Sequence, residues 1–295
     1  MEQLYPFLNP FSGIIKHLMV PIGQLRYYKI YRRWRRLKNP VLFHEKVFWM
    51  MRHADLNKWA KLADKYSVRN YVEDKCGNKI LTKLYGIYET ANEINFDALP
   101  NQFIMKTTNG CASNLIVKDK SKTDLVQARE KMNKWMGIHY GDLSLQPHYS
   151  LIKPQIIAEE LLVDKSNPDK SIIDYKFDCF DGIVLSCGVM MDRTPGTHHL
   201  SVMQYDLDWN AHPEWLVKGY YPFGETPRPE CLEQMIDYAS VLSKGFQYVR
   251  VDLYCVNGNI YFGEMTFSPG LGVYNEEYQK IMGDMIDLSK VKRRN

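Results

Sequence analysis

Charged and hydroxyl side chains alternate with apolar ones along two adjacent segments near the end of the chain: Arg250 and Asp252 on the first, Glu264 and Thr266 on the second. Such period-two alternation is the pattern of a half-buried strand. Two carboxylates that face each other on neighbouring strands repel unless a cation neutralises them. Mg²⁺ is typically held by one or two carboxylates together with substrate phosphates. The spacing therefore indicates a metal–phosphate site, although a solvated hairpin with a chance acidic pair has the same pattern.

The turn between these segments decides whether the carboxylates converge. Asn257-Gly258 is a strong signal for a two-residue hairpin loop. Such a loop would pair Asp252 with Gly263 and leave the two carboxylates on opposite faces. A three-residue loop that includes Asn259 pairs Asp252 with Glu264 and gathers the apolar residues of both strands on one face. We therefore predict the three-residue loop.

A lysine followed by small residues stands earlier in the chain. Phe103–Lys106 is predicted to be a short strand, and Leu115–Val117 the next one. Between them lie the small residues Gly110, Cys111, Ala112 and Ser113. Such a loop lets backbone N–H groups approach phosphates while an ammonium supplies charge. On this stretch alone an ordinary hairpin with a surface lysine is the favoured interpretation, because the loop is not a GxxxxGK[ST] motif.

Charged residues interrupt two further apolar segments. Ile156–Leu162 is predicted to be a buried strand, yet it contains Glu159 and Glu160. We expect one of these carboxylates to face a cleft, toward an amine or a ribose, and the other to face solvent. Ile172–Phe180 is predicted to be a strand with Lys176 on its polar face. A cross-strand ion pair would also account for that lysine.

Composition limits the class of protein. The 295 residues are 45% hydrophobic and 24% charged with a net charge of +4, which is ordinary for a globular protein. No nucleic-acid-binding module is recognisable, and neither a signal peptide nor a membrane-spanning stretch is visible. Six scattered cysteines without a CxxC pair predict free thiols in a reducing cytoplasm. The adjacent His198 and His199 would face opposite ways on a strand, so we do not predict a metal site there.

The beginning of the chain is strongly basic. Residues 1–39 contain eight lysines and arginines but one acid, Glu2. From Gln24 to Lys38, aromatic and apolar residues recur at helical spacing, which is typical of an amphipathic helix on an anionic membrane or acidic partner. A helix packed on the protein body with a solvated basic side is the alternative. A second basic cluster, the tail 290–295, could also be attracted by an anionic leaflet.

The order of these segments resembles the ATP-grasp superfamily, and their motifs resemble its TupA-like family, named after teichuronopeptide biosynthesis. The motifs are FHEKVFWMM, LADKYSVRNYV, LPNQFIMKTTNG, DYKFDCFDG, MDR, YDLDWN and FGEMTFSPGLG. They span roughly residues 40–285, outside the basic segment 1–39. The resemblance implies an α+β ATP-grasp fold, in which two α+β subdomains close on ATP between two sheets. The mainly helical region 40–100 would precede a lid subdomain, 101–162, and a larger subdomain with the metal site, 163–289.

The resemblance also implies roles in nucleotide binding. Lys106 would contact the phosphates of ATP, and the loop Gly110–Ser113 would cover them. The hinge between the subdomains would read the adenine edge by backbone groups and place a carboxylate near adenine or ribose; its residues are Glu159, Glu160, Leu161 and Leu162. Lys176 would be a second lysine on the phosphate side.

The remaining implied roles concern the metal and the reaction. Asp252 and Glu264 would hold Mg²⁺, and Arg250 would steady the acyl-phosphate transition state. The family commonly has Asn as a further metal ligand where this chain has Thr266. A threonine hydroxyl is a weaker ligand, so the number of bound metal ions stays open.

The function implied is an ATP- and Mg²⁺-dependent carboxylate–amine ligase of the cytoplasm. Its substrates would be a sugar acid of a cell-surface polysaccharide or capsule precursor and an amino acid or other small amine. The basic pattern of residues 24–38, which lies outside the resemblance, predicts contact with the inner face of the membrane. A glycosyltransferase is one alternative, although Asp206-Leu207-Asp208 is the nearest approach to a DxD motif. A non-catalytic nucleotide-binding protein is another, because of Thr266. The sequence does not indicate an oligomeric state.

Overall fold

The computed structural model describes residues 4–191, 201–217 and 226–294. Asp192 and Arg193 of the MDR motif, as well as His198 and His199, lie outside the described residues. The chain forms two compact units. Unit 1 comprises Met1–Gly23, Leu56–Tyr71 and Thr82–Leu162, and unit 2 comprises Gln24–Asp55, Val72–Leu81 and Val163–Asn295.

Unit 1 is built on a four-stranded antiparallel sheet with the order β1-β4-β2-β3. Its strands are β1 (Leu84–Tyr88), β2 (Phe103–Thr107), β3 (Asn114–Val117) and β4 (Ile156–Glu159). Met105 and Ala158 lie in a buried apolar cluster with Met132 of helix α7, Leu125–Met136. Because side chains alternate along a strand, Lys106 and Glu159 lie on the face away from this cluster.

Short helices complete unit 1. They are α1 (Tyr5–Leu8), α2 (Ser12–His17), α5 (Asn57–Ala63) and α8 (Tyr140–Ser144), while α3 (Met19–Tyr31) and α6 (Val68–Cys76) belong partly to each unit. Three large apolar side chains of the first segment are exposed: Phe7 by 76%, Phe11 by 56% and Ile14 by 62%. Among the described residues, no helix is both long enough and apolar enough to cross a membrane.

Unit 2 is built on a five-stranded antiparallel sheet with the order β7-β6-β5-β8-β9. Its strands are β5 (Asp174–Phe180), β6 (Ile183–Met191), β7 (Ser201–Tyr205), β8 (Val249–Val256) and β9 (Asn259–Thr266). Helix α9 (Leu232–Ser243) packs against β5, β6 and β8, and α4 (Phe43–His53) packs against α10 (Glu276–Asp284). The fully buried Val249, Val251 and Leu253 alternate along β8 with polar residues, which therefore share the opposite face.

The hairpin between β8 and β9 has a two-residue loop, so the predicted three-residue loop is wrong. Val256 pairs with Asn259, and Asn257 and Gly258 form the loop with φ angles of 52° and 76°. The predicted pairing of Asp252 with Glu264 is nevertheless confirmed. It survives because the register shifts by one residue between Glu264 and Phe262. The extra residue is Gly263, which makes a β-bulge that restores the polar face.

The bulge predicts that a side chain at Gly263 would be crowded by its neighbours. A Cβ at this position would lie 3.0 Å from the backbone oxygen of Asp252 and 3.0 Å from the ring of Tyr254. We expect Gly263→Ala to lower the free energy of unfolding by about 1–3 kcal/mol, as for other overpacked sites. Urea unfolding measures this, with Gly270→Ala as the matched control because a Cβ there meets nothing within 4 Å. Equal unfolding free energies for the two variants would contradict the packing role of Gly263.

The basic helix predicted over residues 24–38 ends early, so its predicted extent is wrong. Helix α3 stops at Tyr31, and Arg32 takes the left-handed φ of 55°. The cause is a tertiary contact: buried Glu45 accepts hydrogen bonds from Arg33 Nη2 at 2.9 Å and from the backbone N–H of Arg36 at 3.1 Å. Arg35, expected on a solvated face, is only 5% exposed. The membrane contact stays a prediction.

A disulfide corrects the prediction of six free thiols. Cys231, at the start of α9, is bonded to Cys255 of β8 with a sulfur–sulfur distance of 2.04 Å. The two cysteines are 24 residues apart, so no short motif marks the pair, and it forms because α9 packs on β8. The other four cysteines form no disulfide: Cys76, Cys111, Cys179 and Cys187.

Candidate functional site

The polar face of unit 2 gathers the four residues that the sequence placed on β8 and β9. The Arg250 guanidinium donates from Nε to Asp252 Oδ1 at 2.7 Å and from Nη2 to Asp252 Oδ2 at 2.8 Å. The same Nη2 lies 3.3 Å from Glu264 Oε1 and 3.1 Å from Thr266 Oγ1. Thr266 Oγ1 also donates to Glu264 Oε1 at 3.0 Å. Two carboxylates and a hydroxyl therefore meet around one guanidinium.

Lys176 joins this cluster from the neighbouring strand. It pairs directly with Asp252 across β5 and β8, and its Nζ donates to Asp252 Oδ2. The Lys176 side chain is only 5% exposed, and its Nζ lies 3.5 Å from Asp174 Oδ2. The cross-strand ion pair considered from the sequence is thus present, and it lies inside the cluster instead of on a solvated surface.

The electrostatics of the cluster are those of a buried ionic network. Burial raises the pKa of Asp252 above its usual range, although Arg250 and Lys176 act to lower it. Burial disfavours the charge on Arg250, but the attraction of Asp252, the hydrogen bonds to it and the attraction of Glu264 together raise the pKa of the guanidinium well above its ordinary value. Glu264 has the more exposed of the two carboxylates, with 32% of its side chain accessible. A ligand would therefore reach the network from the Glu264 side.

The donor set fits a metal that is bound together with phosphates. Within the described ranges, no group of three or more His, Cys, Asp or Glu residues is arranged to hold a metal ion. Asp252 and Glu264 supply two carboxylates, the number that Mg²⁺ commonly takes when substrate phosphates complete its coordination. Both oxygens of Asp252 already accept hydrogen bonds from cations. Oδ2 accepts from both Lys176 and Arg250, whereas Oδ1 accepts from Arg250 Nε. A metal at Asp252 would therefore bind Oδ1, which keeps a lone pair.

A second buried acid in unit 2, Asp178, was missed as a candidate site residue. It is fully buried and pairs with Arg250 in the register of β5 and β8. Its Oδ1 accepts from Tyr248 OH at 2.7 Å, and its Oδ2 from Tyr274 OH at 2.8 Å and from Gln204 Nε2 at 3.2 Å. Burial raises its pKa despite these bonds. These hydrogen bonds connect β5, in the middle of the sheet, to Tyr274 in the segment after β9. The only sequence signal for Asp178 was its alternation with Asp174 and Lys176 along the strand.

Unit 1 has a separate ionic cluster around Glu159, which is 4% exposed. Lys106 Nζ lies 2.9 Å from Glu159 Oε2, and Arg69 Nη1 lies 2.7 Å from Glu159 Oε1. Thr82 Oγ1 also donates to Oε1 at 3.0 Å. Although burial opposes the charge, Lys106 and Arg69 hold the pKa of Glu159 below its usual range. Arg69 was missed by sequence reasoning, although it stands within the LADKYSVRNYV motif.

The loop after Lys106 is closed at its base and exposed at its tip. Thr107 Oγ1 and Ser113 Oγ lie 2.5 Å apart, and the backbone N–H of Thr107 donates to the Ser113 carbonyl at 3.3 Å. Gly110 lies so close under the Tyr140 ring that a Cβ would approach it to 2.8 Å. The exposed residues at the tip are Cys111 and Ala112. The loop thus presents small residues and backbone groups outward.

The predicted hinge residues divide between the strand and the segment after it. Strand β4 ends at Glu159, so the strand predicted to reach Leu162 is too long. The backbone N–H of Glu160 donates to the carbonyl oxygen of Lys83 at 2.9 Å. Leu161 and Leu162 follow, both half-buried. Of the two acids, Glu159 is the enclosed one.

Glu159 predicts an acid-dependent contribution to stability. A carboxylate with a lowered pKa stabilises the folded state above its unfolded-chain pKa, about 4.3, and loses that contribution as the pH falls through the folded value. We expect Glu159→Gln to lower the free energy of unfolding by about 1–3 kcal/mol at neutral pH and by less below about pH 4. Urea unfolding at both pH values measures this. The control is Glu160→Gln, and a Glu159→Gln deficit that persists unchanged in acid would contradict the assignment.

A family model described as TupA-like ATPgrasp matches residues 45–287. No curated protein matches the chain significantly in sequence.

Solved structures of several ligases are similar to the chain. D-alanine–D-alanine ligase from Bacillus anthracis, complexed with ATP, is 15% identical with a TM-score of 0.49, over 79% of this chain and 67% of that one. L-amino acid ligase from Bacillus licheniformis is 15% identical with a TM-score of 0.43, over 73% and 42%. Phosphoribosylamine–glycine ligase from Thermotoga maritima is 12% identical with a TM-score of 0.40, over 80% and 51%.

Proposed function

The chain belongs to the TupA-like ATP-grasp family, and on this basis we propose that it is an ATP- and Mg²⁺-dependent carboxylate–amine ligase. Membership confirms the predicted α+β ATP-grasp fold, with its two antiparallel sheets. The observation that carries the proposal is the pairing of Asp252 with Glu264, both within reach of Arg250. In a solvated hairpin with a chance acidic pair, Asp252 would be exposed. It is instead buried beside two cations, Arg250 and Lys176.

The proposed chemistry activates a carboxylate, which is a poor electrophile. One oxygen of the acceptor carboxylate takes the γ-phosphoryl group of ATP, giving an acyl phosphate and ADP. An amine then attacks the acyl carbon, phosphate leaves with the bonding electrons, and the nitrogen loses a proton. Mg²⁺, held by Asp252 and Glu264 with Thr266 beside them, would supply positive charge to the phosphate oxygens.

The residues of the chain would neutralise charge and exclude water. Arg250 and Lys106 carry the positive charge that a transferring phosphoryl group requires. The small residues of the Gly110–Ser113 loop let backbone N–H groups approach phosphate oxygens. A covered site protects an acyl phosphate from hydrolysis.

In each ionic cluster, one cation could leave the carboxylate and bind a phosphate while the other cation stays. Glu159 binds two cations, so Lys106 could turn to a phosphate while Arg69 still neutralises the carboxylate. In unit 2, Asp252 likewise binds both Arg250 and Lys176. A buried carboxylate that is left without any partner costs several kcal/mol. The second cation avoids most of this free-energy cost when the first one turns to phosphate.

The proposed substrates follow from the name of the family. They are a sugar acid of a cell-surface polysaccharide or capsule precursor and an amino acid or small amine. Because the reaction needs ATP, we place it on the cytoplasmic side of the membrane. The glycosyltransferase alternative rests on Asp206-Leu207-Asp208, which is not a DxD motif in a strand but a turn that follows β7. The non-catalytic alternative stays open for testing because of Thr266.

The test is phosphate release from ATP with pairs of uronic acids and amines. We expect release that requires Mg²⁺ and an acceptor, with one amide formed per phosphate. Hydroxylamine in place of the amine should give a hydroxamate, because it captures an acyl phosphate. Thermal stabilisation by UDP-sugars and not by ATP would contradict the proposal. Tight ATP binding without turnover on any acceptor would favour the non-catalytic alternative.

A further inference from the structure

The second half of helix α3 has two different faces. On one face, Tyr27 is fully buried and the Tyr31 hydroxyl accepts from the backbone N–H of Gly272 at 3.0 Å. On the same side, the Gln24 amide exchanges two hydrogen bonds of 3.0 Å with the backbone of Arg35. These contacts anchor the helix to unit 2 and fix which residues point away from it.

The opposite face presents apolar and aromatic side chains to solvent. Leu25 is 60% exposed, Tyr28 39% and Trp34 57%. The Tyr28 and Trp34 rings stack with their centroids 4.7 Å apart and an interplanar angle of 25°. The stack forms because the left-handed turn at Arg32 brings Trp34 back beside the helix. Contiguous exposed apolar side chains of this kind mark an interaction site.

Positive charge surrounds this aromatic pair. Lys29, Arg32 and Arg36 are exposed, and the sequence contains no acidic residue from Leu4 to Asn39. Arg33 is already paired with Glu45 and Glu276. The exposed face is therefore cationic as well as apolar.

We propose that Leu25, Tyr28, Lys29, Arg32 and Trp34, here called the aromatic–basic patch, dock on an anionic lipid surface. Tyrosine and tryptophan favour the membrane–water interface, and an anionic leaflet attracts basic residues that lie near it. A second copy of the chain fits less well, because two cationic patches would repel each other. The proposal concerns where the protein resides and does not depend on the ligase reaction.

Vesicle co-sedimentation tests the aromatic–basic patch. We expect the protein to bind vesicles of phosphatidylcholine with phosphatidylglycerol at least tenfold more tightly than vesicles of phosphatidylcholine alone, and to be released by high salt. Lys29→Glu combined with Arg32→Glu should abolish the preference for the anionic vesicles. Tyr28→Ser combined with Trp34→Ser should weaken binding about tenfold or more.

Matched variants elsewhere in unit 2 serve as controls. Lys170→Glu changes an exposed charge and Ile183→Ser an apolar side chain that is 58% exposed, and both should bind vesicles like the unchanged protein. Thermal shift with Mg²⁺–ATP reports on folding and nucleotide binding in every variant, which separates failure of this proposal from failure of the ligase proposal. Equal binding to both vesicle types, or patch variants that bind normally, would overturn the membrane assignment. So would sedimentation velocity showing a dimer that Tyr28→Ser with Trp34→Ser dissociates.

Discussion

Asp252→Asn and Glu264→Gln are each expected to lower kcat for ATP-dependent phosphate release by about 10²–10³. Both substitutions keep the size of the side chain but remove the negative charge that would hold Mg²⁺. The two carboxylates are neighbours across β8 and β9 and share Arg250 as a partner, so their losses should be less than additive. Steady-state phosphate release at saturating ATP measures the effect, and the double variant tests the coupling.

The control is a carboxylate of unit 2 outside the cluster. Asp237 is exposed on helix α9, and Asp237→Asn should leave kcat unchanged. Circular dichroism and urea unfolding of each variant separate lost chemistry from lost folding, because Asp252→Asn removes the carboxylate that Arg250 and Lys176 share. Folded Asp252→Asn and Glu264→Gln proteins that turn over as fast as the unchanged protein would show that the metal assignment is wrong.

Arg250→Met is expected to impair both stability and activity. Buried Asp252 would lose the partner that donates two hydrogen bonds to it. Removing one partner of a buried ion pair typically lowers the free energy of unfolding by about 3–5 kcal/mol. Lys176 still neutralises Asp252, so we expect the lower end of that range. The loss of charge should also reduce kcat by about 10²–10³. Urea unfolding and phosphate release measure the two effects on the same preparation.

Arg250→Lys distinguishes charge from geometry. Lysine restores the charge but not the fork that binds both oxygens of Asp252, so it should recover much of the stability and little of the activity. Lys280→Met removes an exposed charge from α10 and should change neither quantity. If Arg250→Met unfolds at the same urea concentration as the unchanged protein, the guanidinium is not the centre of the network.

Alternation along the strands was sufficient to predict the polar face of unit 2. The side chains of Arg250, Asp252 and Glu264 can share a face in only one register of β8 and β9. The apolar residues of the two strands select that register. The position of the extra residue could not be predicted in the same way. A three-residue loop and a two-residue loop with a bulge at Gly263 give the same pairing beyond the bulge. The choice depends on the local preference of Asn257-Gly258 for a tight turn.

Contacts between distant segments account for what the sequence did not predict. Arg69 reaches Glu159 across 90 residues of chain, and Tyr274 reaches Asp178 across 96. Periodicity describes neighbours on one element and does not carry such information. The early end of α3 has the same origin, since Glu45 binds the segment that follows the helix.

A crystal structure with Mn²⁺ and a non-hydrolysable ATP analogue tests the central claim most directly, because manganese scatters anomalously and can stand in for Mg²⁺. We expect an anomalous peak within bonding distance of carboxylate oxygens from both Asp252 and Glu264, with phosphate oxygens completing its coordination. Bound nucleotide whose manganese peak lies away from these carboxylates, with Asp252 still paired to both Arg250 and Lys176, would contradict the account.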